Sequence, residues 1–350
     1  MRIAQIAPLT ESVPPKFYGG TERVVSFLTE ELVSMGHDVT LFASADSETS
    51  AQLEPMWPQA LRFDPALRDF HAPVMLMMEQ VARRADEFDI LHFHLDYWPF
   101  SIFSRLHTPF VTTLHGRLDL PELRPVFDCF RDVPVISISD SQRKPLPRAN
   151  FISTIYHGLP EDLLVPHHGP RDYLAFLGRI CPEKRPDRAI RIARAAGMKL
   201  KIAAKVDRVD QAYYESEIRP MIDGDQVELI GEIGDAEKSE FLGRAKAMLL
   251  PIDWPEPFGL VMIEAMACGT PTIAFPAGSV PEVIENGRTG YIVPDEPAAV
   301  DALSQIDRLS SHAIRAAFDE RFTARRMAED YVDLYRGLAV RKRPALRVVT

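Results

Sequence analysis

Two glutamates stand eight positions apart in Glu256-Pro257-Phe258-Gly259-Leu260-Val261-Met262-Ile263-Glu264. The stretch follows a strand-like run at 247–252 and opens a helix-like run that stops at Gly269. One carboxylate lies just ahead of the turn and the other inside the helix. Gly259 between them lets the backbone approach a ligand closely. The first helical turn carries N–H groups with no intrahelical partner, which suits an anion such as a diphosphate, or the polar edge of a sugar. An exposed Glu264 is expected to accept two hydrogen bonds from neighbouring hydroxyls of a ribose. The plainer reading is a strand–turn–helix unit with two solvated glutamates.

Charge that grows on a leaving diphosphate needs fixed cations and donors. Gly178-Arg179-Ile180-Cys181-Pro182-Glu183-Lys184-Arg185-Pro186 begins where a strand at 173–177 ends. Arg179 offers a planar fork and Lys184 a point charge for two phosphates. Gly19 and Gly20, ahead of Thr21-Glu22-Arg23, permit a tight loop at a helix start. They match neither G-x-G-x-x-G nor a P-loop. His115 follows a strand ending at Leu114. His92 and His94 alternate onto one side of a strand and, with Asp96, raise the question of a metal, but no further ligands of suitable spacing accompany them. Tyr97 and Trp98 follow, either as stacking surfaces for a ring or as core.

These residues need elements to hold them. Short β-branched runs at 3–7, 39–43, 90–93, 110–114, 135–138 and 152–156 read as buried parallel strands. Amphipathic stretches at 22–34 and 74–88 lie between them, the first with Val24, Val25, Leu28, Leu32 and Met35 at helical spacing and Gly36 as its stop. A second series has strands at 173–177, 200–204, 227–230, 247–252, 272–275 and 291–293, with helices at 186–196, 236–245 and 260–268. The segment 158–172, with three prolines and His167-His168, reads as a solvated interdomain linker. Segment 46–70 shows little periodicity and yields no assignment. The expected fold class is α/β, two Rossmann-like doubly wound parallel sheets facing across a cleft that holds the ligand.

With 350 residues, 46% hydrophobic and 26% charged, the chain fits a two-domain globular protein. A net charge of −10 argues against nucleic acid and against electrostatic docking to anionic lipid. Three scattered cysteines suit a reducing, cytoplasmic setting without a structural metal. The N-terminus reads straight into a strand, and no run approaches the length of a membrane span.

The Glu256–Glu264 pattern resembles the E-x-F-G-x-x-x-x-E signature of family 4 retaining glycosyltransferases, which have the GT-B fold. Gly178 to Lys184 resembles that family's G-R-x-x-x-x-K element, and Gly278-Ser279-Val280-Pro281-Glu282 its G-x-x-P-E turn. The resemblance covers nearly the whole chain before the tail. It departs at His157-Gly158-Leu159-Pro160, where members often carry an Asn-Gly-Val/Ile-Asp turn.

The resemblance implies domains at 1–160 and 161–323, a final helix over 324–340 packing back on the first domain, and a frayed tail at 341–350. It implies that Gly19 and Gly20 lie near the donor diphosphate, that His115 faces the transferred sugar, and that His94 lines the acceptor side with Tyr97 and Trp98. Arg179 and Lys184 would stabilise the leaving group and Glu256 would hold sugar hydroxyls. Phe258, Gly259 and Leu260 would present backbone, Glu264 would hold the ribose, Lys205 would reach the donor, and the Glu232-Ile233 loop would meet the base.

The implied activity is retaining, metal-independent transfer of a hexose, from UDP-glucose or a similar nucleotide sugar, to a small soluble acceptor; GDP-mannose and ADP-glucose are options. No cofactor is called for. A reduced pterin is one acceptor that Tyr97 or Trp98 would stack upon, and a glycan built on a cytoplasmic sugar-lipid is another. The rivals are a GT-B epimerase or hydrolase, a non-catalytic sugar-nucleotide-binding subunit, and a dehydrogenase, the last requiring a G-x-G-x-x-G that this sequence lacks.

Overall fold

The computed structural model describes residues 1–16 and 19–341. Tyr18 and the tail from residue 342 onward, including the expected fraying, lie outside them. The chain divides into two compact units, Met1–Gly158 with the C-terminal segment from Ala324, and Leu159–Thr323.

In the first unit strands and helices alternate as β1 (Arg2–Ile6), α1 (Gly20–Ser34), β2 (Asp38–Ser44), β3 (Gln52–Trp57), α2 (His71–Arg83), β4 (Ile90–Phe93), α3 (Phe100–Phe103), β5 (Phe110–Thr113), α4 (Leu123–Cys129), β6 (Val135–Ser137), α5 (Asp140–Arg143) and β7 (Phe151–Thr154). The second unit continues with β8 (Tyr173–Arg179), α6 (Pro186–Ala195), β9 (Lys199–Lys205), α7 (Gln211–Tyr213), β10 (Val227–Gly231), α8 (Asp235–Gly243), β11 (Ala245–Leu250), α9 (Leu260–Ala267), β12 (Thr272–Ala274), α10 (Val280–Val283), β13 (Gly290–Ile292), α11 (Glu296–Leu303) and α12 (Ser311–Arg321). Helix α13 (Ala324–Arg341) belongs to the first unit.

Every strand pair is parallel. The first sheet has the order β3-β2-β1-β4-β5-β6-β7 and the second β10-β9-β8-β11-β12-β13. Each order reverses once, between β1 and β4 and between β8 and β11. The loops leaving those two strands run to opposite faces of the sheet and open a crevice at the carboxyl edge.

Burial explains the pattern. The β1 and β4 residues Ile3, Ala4, Ile6, Ile90, Leu91 and Phe93 are fully enclosed, as a parallel sheet covered by helices on both faces requires. Helix α1 buries Val24, Val25, Leu28 and Leu32, then stops where Gly36 turns left-handed (φ 80°) and His37 N–H donates back to the Leu32 carbonyl. Helix α13 buries Ala324, Met327, Ala328, Tyr331, Val332 and Tyr335 in one stripe and packs on α1 and β4.

Two assignments change. Strand β3 lies in the segment that showed no period. It is a sheet edge carrying Pro55, only Met56 of its residues is buried, and so it has no apolar run to read. The 158–172 segment is not a solvated linker. Leu159 bridges to Thr323, Leu164 is buried, Val165 N–H donates to Ser239 Oγ at 3.1 Å, and the Arg315 guanidinium donates to the carbonyls of Leu164 and Glu161. The segment packs along the second unit.

Glu22, in the first turn of α1, is buried beside Glu11, and Arg62 pairs with Glu11 at 2.6 Å. Desolvation, reinforced by the Glu11 charge, raises the Glu22 carboxyl from 4.5 to about 7. Across that window the folded chain retains a proton that the unfolded chain has released, so stability falls as pH rises through it. At about 1.4 kcal/mol per pKa unit the loss is on the order of 3 kcal/mol at most. Glu22→Gln is expected to flatten this slope and to stabilise the protein most above pH 7, read by urea unfolding across a pH series; an unchanged slope would place the effect elsewhere.

Candidate functional site

The carboxyl edge of the second sheet gathers most of the charged residues that the sequence singles out. Arg179 ends β8 and Lys205 ends β9, and the two are register partners. Both engage Asp207, Lys205 at 3.0 Å and Arg179 at 3.7 Å. Arg179 also faces Asp210 at 3.4 Å and Glu183 at 3.8 Å. Those Arg179 distances exceed ordinary hydrogen bonds, so the carboxylates balance the half-buried guanidinium without gripping it tightly.

Lys184, in the loop after β8, pairs with Glu256, in the loop after β11. Trp254 Nε1–H donates to the same Glu256 Oε2 at 2.9 Å, and the Lys184 ammonium lies 5.3 Å from the Trp254 ring centre. A backbone bond from Asp253 N–H to the Glu183 carbonyl ties the same two loops together. The crevice at the β8/β11 reversal is thus bridged by a cation and a carboxylate.

The Glu256–Gly259 turn is braced from beneath. Gly278 is left-handed (φ 58°), and a Cβ there would fall 2.2 Å from the Glu256 carbonyl oxygen. Ser279 N–H donates to that carbonyl and Ser279 Oγ to the Phe258 carbonyl. Gly259, left-handed at φ 79°, caps α9, which starts at Leu260. Phe258 is buried against Phe322, so it offers a ligand only its backbone.

Glu264 departs from expectation. It is 3% exposed and pairs with Lys238 of α8 at 2.6 Å. Helix α9 is apolar nearly all round, so its second turn faces protein, and a buried carboxylate there needs a buried cation. Lys238 also meets Asp235 at 3.0 Å. The exposed Glu232 and half-buried Ile233 follow the left-handed Gly231 and lead directly into α8.

In the first unit His94 and His115 meet, Nδ1 to Nε2, at 2.9 Å. His94 Nε2 reaches Gln5 Oε1 at 2.8 Å, and Gln5 Nε2 donates to the Tyr335 hydroxyl at 3.2 Å. His92 lies between Tyr335 (2.6 Å) and Thr113 (2.8 Å), and Thr113 meets Tyr331 at 2.8 Å. His157 stacks on His115 with ring centres 5.2 Å apart. Burial lowers all four imidazoles, His115 to about 3 and the others well below the ordinary value, so all four are neutral at physiological pH. Both rings of the His-x-His pair are thus engaged by hydroxyl, amide and imidazole partners.

Asp96 holds a left-handed backbone (φ 47°), and desolvation raises its carboxyl to about 6 against the His115 N–H that it accepts. Trp98 is partly buried, stacks on His71 and packs on the core; Tyr97 is exposed. Gly19 is extended rather than left-handed, and its need for hydrogen comes from Pro15, whose Cβ would lie 2.8 Å from an added Cβ. Gly20 opens α1.

Sequence reasoning passed over Lys238, Trp254, Asp207 and Gln5. Gln5 did leave a signal, as the one polar residue inside the apolar run at 3–7. Tyr331 and Tyr335 recur at helical spacing with Met327 and Leu334, and that spacing alone reads as an apolar stripe.

A model described as glycosyl transferases group 1 matches residues 165–323, and one described as Glycosyltransferase Family 4 matches residues 18–177. D-inositol 3-phosphate glycosyltransferase of Saccharomonospora viridis is 30% identical over 215 residues, 55% of this chain and 47% of that protein. Phosphatidyl-myo-inositol mannosyltransferase of Mycobacterium leprae is 25% identical over 348 residues, 87% of this chain and 86% of that protein. The matches to the first curated relatives span between 27% and 47% of those relatives' lengths. The solved sucrose-phosphate synthase of Thermosynechococcus elongatus superposes with a TM-score of 0.81 at 21% identity, covering 97% of this chain and 100% of that one, a likeness of fold. With the two matched models running from residue 18 to residue 323 over two doubly wound parallel sheets, the chain belongs to the family 4 glycosyltransferases and has the GT-B fold.

Proposed function

We propose that this protein transfers a hexose from a nucleoside diphosphate sugar to a hydroxyl of a small acceptor, with retention at the anomeric carbon. The observation that carries the reading is the Lys184–Glu256 bridge across the β8/β11 crevice, with Arg179 on the adjoining strand end and the N-terminus of α9 opening beside it. The bond from the anomeric carbon to the donor phosphate breaks, and a bond to the acceptor oxygen forms. The acceptor's proton passes to an oxygen of the departing diphosphate.

Arg179 and Lys184 meet the negative charge that develops on that diphosphate, aided by the N–H groups of Gly259 and Leu260. Glu256, aligned by Lys184 and Trp254, accepts from sugar hydroxyls. Glu264 takes the ribose with the capacity that its Lys238 bond leaves. Lys205 lies within reach of the phosphates, and the Glu232-Ile233 loop offers backbone to the base. His115 of the first unit takes a substrate hydroxyl, and Tyr97, Trp98, Gly19 and Gly20 are assigned to the acceptor and phosphate side; His94, expected to line the acceptor side, is buried with both ring nitrogens engaged and supports His115 from behind. Arginine, lysine and helix N–H groups supply the positive charge, so the reaction is assigned no metal and no cofactor.

UDP-glucose is the first donor to test, with GDP- and ADP-sugars beside it. Inositol-type polyols join the acceptor screen because relatives are named for them. Among the described residues no helix is long and apolar enough to cross a membrane.

Thermal unfolding with a panel of nucleotide sugars tests the donor. A ligand at 100 times its dissociation constant adds about 2.7 kcal/mol, and one nucleotide class is expected to raise the midpoint equally with and without a chelator. No shift from any sugar nucleotide would sink the reading. Arg179→Ala is expected to lower turnover about 100- to 1000-fold while leaving the unfolding midpoint nearly unchanged, because the residue is partly exposed and its ion pairs with Glu183, Asp207 and Asp210 are long; unaltered turnover would remove Arg179 from the site. The anomeric configuration of the product, read by proton NMR, decides retention.

A further inference from the structure

Behind His115 runs a connected series of buried polar groups to which the proposed chemistry assigns no step. Gln5, His92, Thr113 and Tyr335 have no exposed surface and His94 is 3% exposed. With water excluded, each donor needs an acceptor, so the proton on one group dictates the proton on the next.

The sense of the series follows from distance. Gln5 lies 3.2 Å from the Tyr335 oxygen and 2.8 Å from His94 Nε2. An amide N–H reaching a hydroxyl oxygen spans 3.2 Å comfortably, whereas an O–H donor to a carbonyl prefers about 2.7–2.8 Å. The Gln5 amide therefore gives its NH₂ to Tyr335 and its carbonyl to His94. His94 then carries its single proton on Nε2, and its Nδ1 accepts from His115 Nε2 at 2.9 Å. On the other branch Tyr335, already accepting from Gln5, donates to His92 Nδ1, which leaves the His92 proton on Nε2 facing Thr113. All bonds agree in one direction. A half-turn of the Gln5 amide would reverse every one of them and put the His115 proton on Nδ1.

We infer that Gln5 is a positioning residue which, through His94, keeps Nδ1 of His115 unprotonated, so that this histidine accepts a hydrogen bond from a substrate hydroxyl and disfavours a ligand oxygen that needs a donor. Among the described residues nothing hydrogen-bonds to that nitrogen, and the parallel His157 ring holds the imidazole plane. The rings are neutral, so each carries one proton, and the orientation of the Gln5 amide decides which nitrogen holds it. The specificity this confers is for polyol hydroxyls, which donate, over carbonyl or phosphate oxygens, which do not. It rests on the reading of His115 as a substrate-facing group.

The test is a long-range proton–nitrogen NMR spectrum of the ¹⁵N-histidine-labelled full chain, with His115 assigned by its loss in His115→Ala. His115 Nδ1 is expected at the shift of an unprotonated imidazole nitrogen and Nε2 at that of a protonated one. Gln5→Leu, of similar size but without the amide, is expected to let both tautomers populate, moving both nitrogens toward intermediate shifts. In the same variant kcat/KM for the donor sugar should fall roughly three- to tenfold, the worth of one hydrogen bond, with the affinity for the nucleoside diphosphate alone unchanged. Tyr335→Phe, which leaves the Gln5 NH₂ without its acceptor, should shift the tautomer in the same way and supplies the readout if Gln5→Leu does not fold. A protonated Nδ1 in the unaltered protein, or a tautomer untouched in a folded variant, overturns the inference. Absence of turnover in every form would overturn the transferase reading instead and leave the spectroscopic result standing.

Discussion

The Lys184–Glu256 ion pair sits where the second sheet reverses its order, and much of the site is arranged around it. Loops that leave β8 and β11 diverge to opposite faces, so nothing in the sheet itself brings their tips together. The ion pair does so, helped by the Asp253–Glu183 backbone bond and by Trp254 holding the same carboxylate oxygen. Gly278 and Ser279 fix the far side of the turn by direct contact with the Glu256 backbone. Shifting any one of these would move the glutamate relative to the N-terminus of α9, and a displacement of about 1 Å in such a site is enough to cost two orders of magnitude in rate.

The two units handle charge in opposite ways. At the edge of the second sheet, cations are paired with carboxylates at a range of distances, from the close Lys238–Glu264 contact to the loose ring of acids around Arg179. Loose pairing keeps the guanidinium charged and oriented while costing little to replace with phosphate oxygens. The buried Lys238–Glu264 pair is another matter: removing one partner would strand the other in a dry environment. Its place is structural, joining α8, which the Glu232-Ile233 loop enters, to α9, which follows the Glu256–Gly259 turn. The first unit does without charge at its site. Three imidazoles, an amide and hydroxyls hydrogen-bond to one another while neutral, which a low-dielectric interior favours.

The sequence made the strands legible wherever they were buried on both faces, because such strands read as β-branched apolar runs. It failed at β3, whose edge position and Pro55 leave it neither continuous nor alternating. The charged turns were legible because glycine, arginine, lysine and glutamate cluster there at strand ends. Burial at the site was not. Glu264 lies on a helix that is apolar nearly all round, and only tertiary packing discloses that the Lys238 of a separate helix meets it. The packing of 158–172 escaped notice for the same reason, since prolines and histidines look alike whether solvated or laid along a surface. Gln5 shows the limit most clearly. A single glutamine inside a strand marks a buried polar need, but its partners lie 89 and 330 positions away in the chain.

The neutrality of the histidines bears on how a transfer could proceed. A general base works best with a pKa near the working pH, and His115, driven down to about 3 by burial, is a poor proton acceptor. His94 and His92 lie further inside and already use both ring nitrogens. The raised Asp96 carboxyl titrates nearer to neutrality, but it is bound to the His115 backbone N–H and held in a left-handed turn. On the proposed reaction, then, the first unit orients hydroxyls without removing their protons. The acceptor's proton falls to the diphosphate oxygen exposed as the sugar departs, and the demand on the protein becomes electrostatic: to stabilise that diphosphate until it has taken the proton. Arg179 and Lys184 stand on the strand end and loop where such a demand would be met.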